Sequence, residues 1–374
     1  MNLLEQQLNY PFNDTLVGPG QTLEVAPGIK WVRMPLPFAL DHINLWLLKD
    51  AIMQQGELVT GWTLIDCGIH QDKVKVLWEQ IFANELEGLP ILRVIVTHMH
   101  HDHIGLADWI CQRFNAPLLM SGLDYHVARL ACQDQTSFGG DGAALFFYQH
   151  GIVSAQDTEK IKARVHYYSS LVPSVPKQYQ RLIDGQKISI GLGTEQSPRR
   201  NWQLISGFGH APEHMALYCE KSQILISGDM VLPRISTNVS VYDSEPLANP
   251  LALFLYSIDL FRACADSTLT LPSHGKPFTG LVTRIQQLHD HHQERLEELL
   301  VACQIKPLNA VEAIAVLFKR ELDFHQTTFA LGEAVAHLHY LWHKGALERQ
   351  QDAQGNIRFS AIKNNASIDL PSQI

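Results

Sequence analysis

The stretch Ile91-Leu92-Arg93-Val94-Ile95-Val96-Thr97-His98-Met99-His100-His101-Asp102-His103 decides the fold. Its first half is short, apolar and β-branched, the pattern of a strand buried on both faces. Its second half packs four histidines and one aspartate into six residues. Ile104-Gly105-Leu106-Ala107-Asp108-Trp109-Ile110 then reads as the start of a helix. The histidines therefore fall where a strand ends and a helix begins, the edge at which open α/β sheets place their sites. Neutral imidazole and carboxylate oxygen both suit zinc. A solvated polar loop needs no such density of ligand types, so the motif reads as metal-binding.

Working outward, the same layout recurs. Residues 23–35 read as two strands around the turn signal Pro27-Gly28, and 43–48 and 60–65 as two more, the last ending in Asp66-Cys67-Gly68. Residues 73–82 carry apolar positions at helical spacing. Further strands are expected at 186–190, 202–206, 215–219, 224–227 and 269–272. Between and after them lie Gly207-Phe208-Gly209-His210-Ala211-Pro212-Glu213-His214, then Gly228-Asp229, then Ser273-His274-Gly275. One histidine at a strand end is usually structural. Four strand ends that each finish in a ligand-type residue point to a shared site. Two readings fit Asp66: a turn residue, or a carboxylate that orients a metal-bound histidine.

Residues 121–180 interrupt this alternation with helical patterns and the aromatics Phe146, Phe147, Tyr148, Tyr167 and Tyr168. They form a helical insertion, read either as extra core or as a cap lining a substrate pocket, with the cap preferred. Arg234 follows the Asp229 strand end. It is a candidate for binding a substrate carboxylate or phosphate, against a plain surface ion pair. Beyond residue 280 the pattern is helical, over 280–303, 309–317 and 327–342, and then a hairpin flanks Asp352-Ala353-Gln354-Gly355. His289, His291, His292, His337, His339 and His343 lie on these helices among apolar residues and read as core or surface. Residues 364–374 read as a loose tail.

The bulk numbers limit the function classes. A chain of 374 residues suggests one large and one small domain, and 46% hydrophobic against 18% charged residues permits a sizeable core. A net charge of −9 argues against a polyanion as the main partner. No basic segment followed by an apolar stretch opens the chain, and no apolar run reaches the ~20 residues that span a bilayer. The six cysteines are scattered without a C-x-x-C pair, as expected of reduced, buried residues. Cytoplasmic residence without a membrane partner is the expectation.

His98-x-His100-x-Asp102-His103 with His210, Asp229 and His274 resembles the metallo-β-lactamase superfamily of hydrolases, in order, over about residues 23–278, the early Asp66 included. The resemblance implies an α/β fold, an αββα sandwich with two sheets face to face and helices outside. It implies a hydrolase domain over 1–280, with the insertion at about 121–180, and a small helical, winged-helix-like domain over 281–374. It implies two Zn2+ ions, with iron or manganese as alternatives: His98, His100 and His210 on one, Asp102, His103 and His274 on the other, and Asp229 bridging. His214 matches a loop-supporting histidine that binds no metal, and His101 a solvent-facing spacer. Two cations ~3.5–4 Å apart share one hydroxide and lower its pKa. Asp102 is expected to take a proton from the attacking water. Asp102 and Asp229 are thus the catalytic candidates.

Members of the superfamily differ at single positions. Acyl-homoserine lactonases carry a tyrosine three residues beyond the bridging aspartate, where this chain has Leu232. The glyoxalase II thioesterases and the lactamase-like endoribonucleases share the full ligand set. The expectation is a dinuclear zinc hydrolase of a small-molecule ester-like bond, a thioester first (as in hydroxyacylglutathione hydrolysis) and a lactone second. A metal-dependent endoribonuclease or phosphodiesterase is the alternative, and a purely structural metal site the third reading. The winged-helix-like end favours the nuclease. Its second helix, over 327–342, opposes it, with no Arg or Lys and with Glu333, poor equipment for phosphates. Packing, or a homodimer contact, is the role expected of that helix.

Overall fold

A computed structural model describes residues 3–135 and 139–362. The expected tail over 364–374 lies outside them. Two sheets form the centre. The first runs β1 (Thr22–Ala26), β2 (Ile29–Pro35), β3 (His42–Gln54), β4 (Glu57–Ile65), β5 (Ile91–Ile95), β6 (Leu118–Ser121) and β7 (Gln180–Leu182), neighbours in that order. Its first four strands are an antiparallel meander, and β4 to β7 are parallel. Parallel neighbours need crossovers. Helix Asp72–Asn84 supplies one, and the metal-loop stretch with helix Ala107–Phe114 supplies the next.

The second sheet contains β8 (Lys187–Ile190), β9 (Arg200–Gly207), β10 (His214–Cys219), β11 (Ile224–Gly228) and β12 (Leu269–Pro272), with β12 at one edge and β8 at the other. Only the β11–β12 pair is parallel. A last hairpin, β13 (Leu347–Gln351) and β14 (Ile357–Ala361), stands apart.

Strand periodicity explains the layers. Along β3, Leu45 and Leu47 point to the helices outside the first sheet, while Trp46 and Leu48 point to the second sheet. The inter-sheet core joins Trp31, Trp46, Ile65 and Ile95 to Trp202, Leu204, Met215, Leu217 and Ile226, all buried. A second core packs Val74, Trp78, Ile81 and Ile110 against the outer face of the first sheet. A third packs Phe254, Leu288, Leu299, Leu331 and Leu338 against Ala216 and Leu225 of the second. Three buried interfaces separate four layers, an αββα sandwich.

Helices Leu281–Ile305, Ala310–Leu317 and Phe324–His343 precede the last hairpin. The third core runs without a break from Leu8 through Phe146 to Leu341 and Phe359, so these helices share apolar packing with the sandwich on both sides of residue 280. Among the described residues no helix is long and apolar enough to cross a membrane, and the six cysteines are unpaired.

Candidate metal centre

The loops at the ends of β5, β9, β11 and β12 meet at one end of the sandwich. Their ligand-type side chains form two groups. His98, His100, His210 and Asp229 place one ligand atom each within 4.8 Å of one another, and Asp102, His103 and His274 do the same. Asp229 faces both groups. Its Oδ2 lies 3.3 Å from His210 Nε2 and 3.6 Å from His103 Nε2, and its Oδ1 lies 3.4 Å from His274 Nε2. Asp102 Oδ2 lies 3.4 Å from His274 Nε2 and 3.8 Å from His103 Nε2. All seven residues expected as ligands are therefore together.

Backbone and carboxylate acceptors orient the rings. His210 Nδ1 donates to the Asn238 carbonyl at 2.8 Å, and His274 Nδ1 to the His42 carbonyl at 2.7 Å. His103 Nδ1 donates to Asp66 Oδ2 at 2.8 Å. In each ring the proton sits on Nδ1, so Nε2 turns a lone pair into the cluster. Asp66 also accepts from the Thr97 amide and hydroxyl at 2.7 and 2.8 Å, which ties β4 to the metal loop. It holds a positive φ of 60°, rare for a residue with a side chain. Strain retained at such a position fits its role in aiming His103.

His214 stands behind the site. Its Nε2 accepts from the Asp229 amide at 3.2 Å, while burial pushes its imidazole pKa down to about 3. That bond ties the ring to the turn that carries Asp229. Gly228 makes room for it: φ is +54°, and a Cβ there would collide with His214 Nε2.

The donor set fits cations. His98 Nε2 lies 2.9 Å from His100 Nδ1 and 3.2 Å from His210 Nε2, so three ring nitrogens crowd one point. Burial, then the neighbouring imidazoles, holds His98 well below its ordinary pKa. Burial, then His210, does the same to His100. Both rings are neutral, the form that binds metal. Burial alone would raise the Asp102 and Asp229 carboxyls, but the His103 and His274 rings beside them outweigh it and hold both well below the usual range. His103 Nε2 and Asp229 Oδ1 are buried without a hydrogen-bond partner. Orphaned lone pairs at these positions are what a divalent cation would satisfy.

A cavity of about 310 Å³ opens over this floor. The insertion supplies Phe146, Phe147 and Tyr167 to its walls, as a cap would. Helix Phe324–His343 adds His325, Thr328 and Phe329, a contribution the sequence did not suggest. The insertion also grips the metal loop: Tyr168 Oη donates to the Met99 carbonyl at 2.6 Å. Asp124 accepts from the Met99 and Glu213 amides, joining the metal loop to the His210 loop, and burial raises its pKa to about 6. Neither Tyr168 nor Asp124 carries a local motif. Ser121-x-x-Asp124 is only a helix start, with the Ser121 hydroxyl accepting from the Asp124 amide.

Two expectations need correction. Arg234 does not border the cavity. Its side chain is 72% exposed, and Nε lies 4.0 Å from Glu5, because the chain leaves Asp229 toward the surface before it returns at Asn238. His101 is more than a solvent-facing spacer. Its ring stacks on Phe38 at 5.3 Å and lines the cavity.

Fold and site together define a metallo-hydrolase. The Metallo-beta-lactamase superfamily profile matches residues 57–299, and the profile "Metallo-beta-lactamase-like, C-terminal domain" matches residues 296–362. A β-lactamase domain protein from Burkholderia ambifaria is 50% identical, with a TM-score of 0.88 over 96% of this chain and 100% of that one. A metallo-β-lactamase family protein from Thermus thermophilus is 26% identical, with a TM-score of 0.70 over 91% of this chain and 100% of that one. The probable metallo-hydrolase YqjP of Bacillus subtilis (strain 168) is 25% identical over 319 residues, 83% of this chain and 91% of that protein. The chain belongs to the metallo-β-lactamase superfamily.

Proposed function

We propose that the protein is a dinuclear zinc hydrolase of an ester-like bond in a small molecule, a thioester first and a lactone second. His98, His100 and His210 would hold one ion, Asp102, His103 and His274 the other, with Asp229 shared; iron or manganese would suit the same donors. The observation that carries this reading is the placement of Asp229, whose two oxygens face the two ligand groups while the cavity opens above them. A closed structural zinc site has four protein ligands and no free face. Seven donors under an open cavity suit catalysis.

The bound ions would supply Lewis acidity, toward the substrate carbonyl and toward water alike. The chain does the rest. Neutral rings at His98 and His100 leave the site's positive charge uncancelled. Asp229 spaces the two groups. Asp102 Oδ2, at the cavity edge, is the carboxylate oxygen that takes the proton from the attacking water. The enclosing aromatic walls exclude competing water and accept the apolar halves of a thioester.

The nuclease alternative fares worse. The wall helix Phe324–His343 has no Arg or Lys, and its cavity-side residues are His325, Thr328, Phe329 and Gly332. That face suits a small substrate better than an RNA backbone. The test is an assay of zinc-loaded protein on acyl thioesters, lactones, a cephalosporin and single-stranded RNA. Thioester or lactone turnover, lost on chelation and restored by zinc, is expected. RNA cleavage without ester turnover would overturn the reading.

A further inference from the structure

Arg164 sits in the cavity wall, half-buried, and no carboxylate pairs with it among the described residues. Its Nη1 donates to Thr328 Oγ1 at 2.6 Å, and Nη2 lies 3.4 Å from His325 Nδ1. Its guanidinium rests 4.8 Å from the centre of the Tyr167 ring. These neutral contacts hold the fork in place and leave its charge unanswered. Among the described residues Asp243, the other charged wall residue away from the ligand cluster, makes no ion pair with it. The Tyr167 hydroxyl is buried and lacks a hydrogen-bond partner. Burial lowers the Arg164 pKa below its ordinary value, the mark of a cation short of solvent. A desolvated, pre-aimed guanidinium beside an unsatisfied hydroxyl is a receptor for an anion.

The same wall is aromatic. Phe38, His101, Tyr167 and His325 touch ring to ring, at 5.3 to 6.2 Å between centroids. His101 is one residue from Asp102 and its Nδ1 is 3.3 Å from that carboxylate. The rings thus form a continuous path along the cavity wall from the ligand cluster to Arg164. We propose that the substrate is amphipathic: its reacting bond lies at the cluster, an apolar chain or ring crosses the aromatic wall, and an anionic group, carboxylate or phosphate, is bound by Arg164. This rests on the ester-hydrolase reading above and names the substrate class for it. Arg164 comes from the insertion and its positioning partners from helix Phe324–His343, so the two added segments would build specificity jointly.

The test reads binding, not turnover. Isothermal titration of zinc-loaded protein compares alkanedioates of graded length with their monoamides. Both carry one carboxylate for the metal cluster, so the difference isolates the second. At the length that spans the cavity, the diacid should bind about tenfold tighter, the worth of one charge-assisted contact. Replacing the distal carboxylate by phosphate separates the two anion types. Arg164→Ala should abolish the preference, and Arg164→Lys should keep part of it, with zinc content unchanged in both. Equal affinity of acid and amide at every length, or a preference that survives Arg164→Ala, overturns the proposal. A preference without any ester turnover would break the proposed reaction and leave the subsite standing. Turnover of neutral thioesters without a preference would do the reverse.

Discussion

Two regions of this molecule are rich in histidine, and only one has the form of a metal centre. At the strand ends, His98, His100, His103, His210 and His274 converge with Asp66, Asp102 and Asp229 under an open cavity. In the helical end, His292 Nδ1 lies 3.1 Å from His337 Nε2, with His291 and His339 nearby in sequence. Among the described residues the rings there join no group of three or more converging ligand-type side chains, although His289 pairs with Asp259 at 2.9 Å. Burial first, then neighbouring imidazoles, holds His292 well below its ordinary pKa. His337 donates its remaining ring proton to the Glu333 carbonyl at 2.8 Å. Each ring of this pair has a partner on at least one nitrogen, although His292 Nε2 is buried without one. The difference teaches that ligand density is a poor signal by itself. Carboxylates that compensate a cation, several donors that converge on one point and an open face make the site.

The comparison breaks most visibly at the ligands. His98→Ala or Asp229→Ala should strip bound metal and lower hydrolysis about a thousandfold, since a metal ion contributes several kcal/mol to the transition state. Elemental analysis and turnover of a responsive ester check this. Retained metal with full activity would erase the distinction between the regions. Asp66→Asn should do less. It keeps the shape but weakens the acceptor for His103, and metal affinity should fall about 10- to 100-fold. A chelator competition series measures it.

The helical histidines predict a pH effect. Burial lowers His337 and His339 from 6.5 to about 4, with backbone acceptors opposing it, and His150 likewise. Between pH 6.5 and about 4 the unfolded chain binds protons that the folded chain refuses, so stability falls as pH falls through that window. It is intact above pH 6.5. Urea midpoints across the range should show the loss, and His337→Leu should flatten its share. The smallest effect is expected of the pair itself. His337→Leu alone strands His292 Nδ1 and should cost about 1–3 kcal/mol, while His292→Leu with His337→Leu should cost less. Neither should change metal content.

Much of this was legible because the strands that lead to the site are short and apolar and each runs into a ligand-type residue, beside glycine or proline in three of the four. That local grammar placed β5, β9, β11 and β12 and the seven donors. Asp66 was readable as one of two alternatives, and its bond to His103 Nδ1 favours the orienting one. Arg234 misled because nearness to Asp229 along the chain is not nearness in space. Arg164, Asp124, Tyr168 and His325 carry no motif. Their roles come from segments distant in sequence meeting at the cavity, a relation no local pattern records. The contribution of helix Phe324–His343 to the wall was invisible for the same reason.

Gly228 has a consequence for how such a centre can change. Its missing side chain lets His214 press against the turn and fix the height of Asp229 from below. A methyl group at that spot would lift the aspartate relative to both groups of rings at once. The spacing between two seats for ions would then be set by a residue that touches neither, and a lineage could retune the chemistry there without altering any donor.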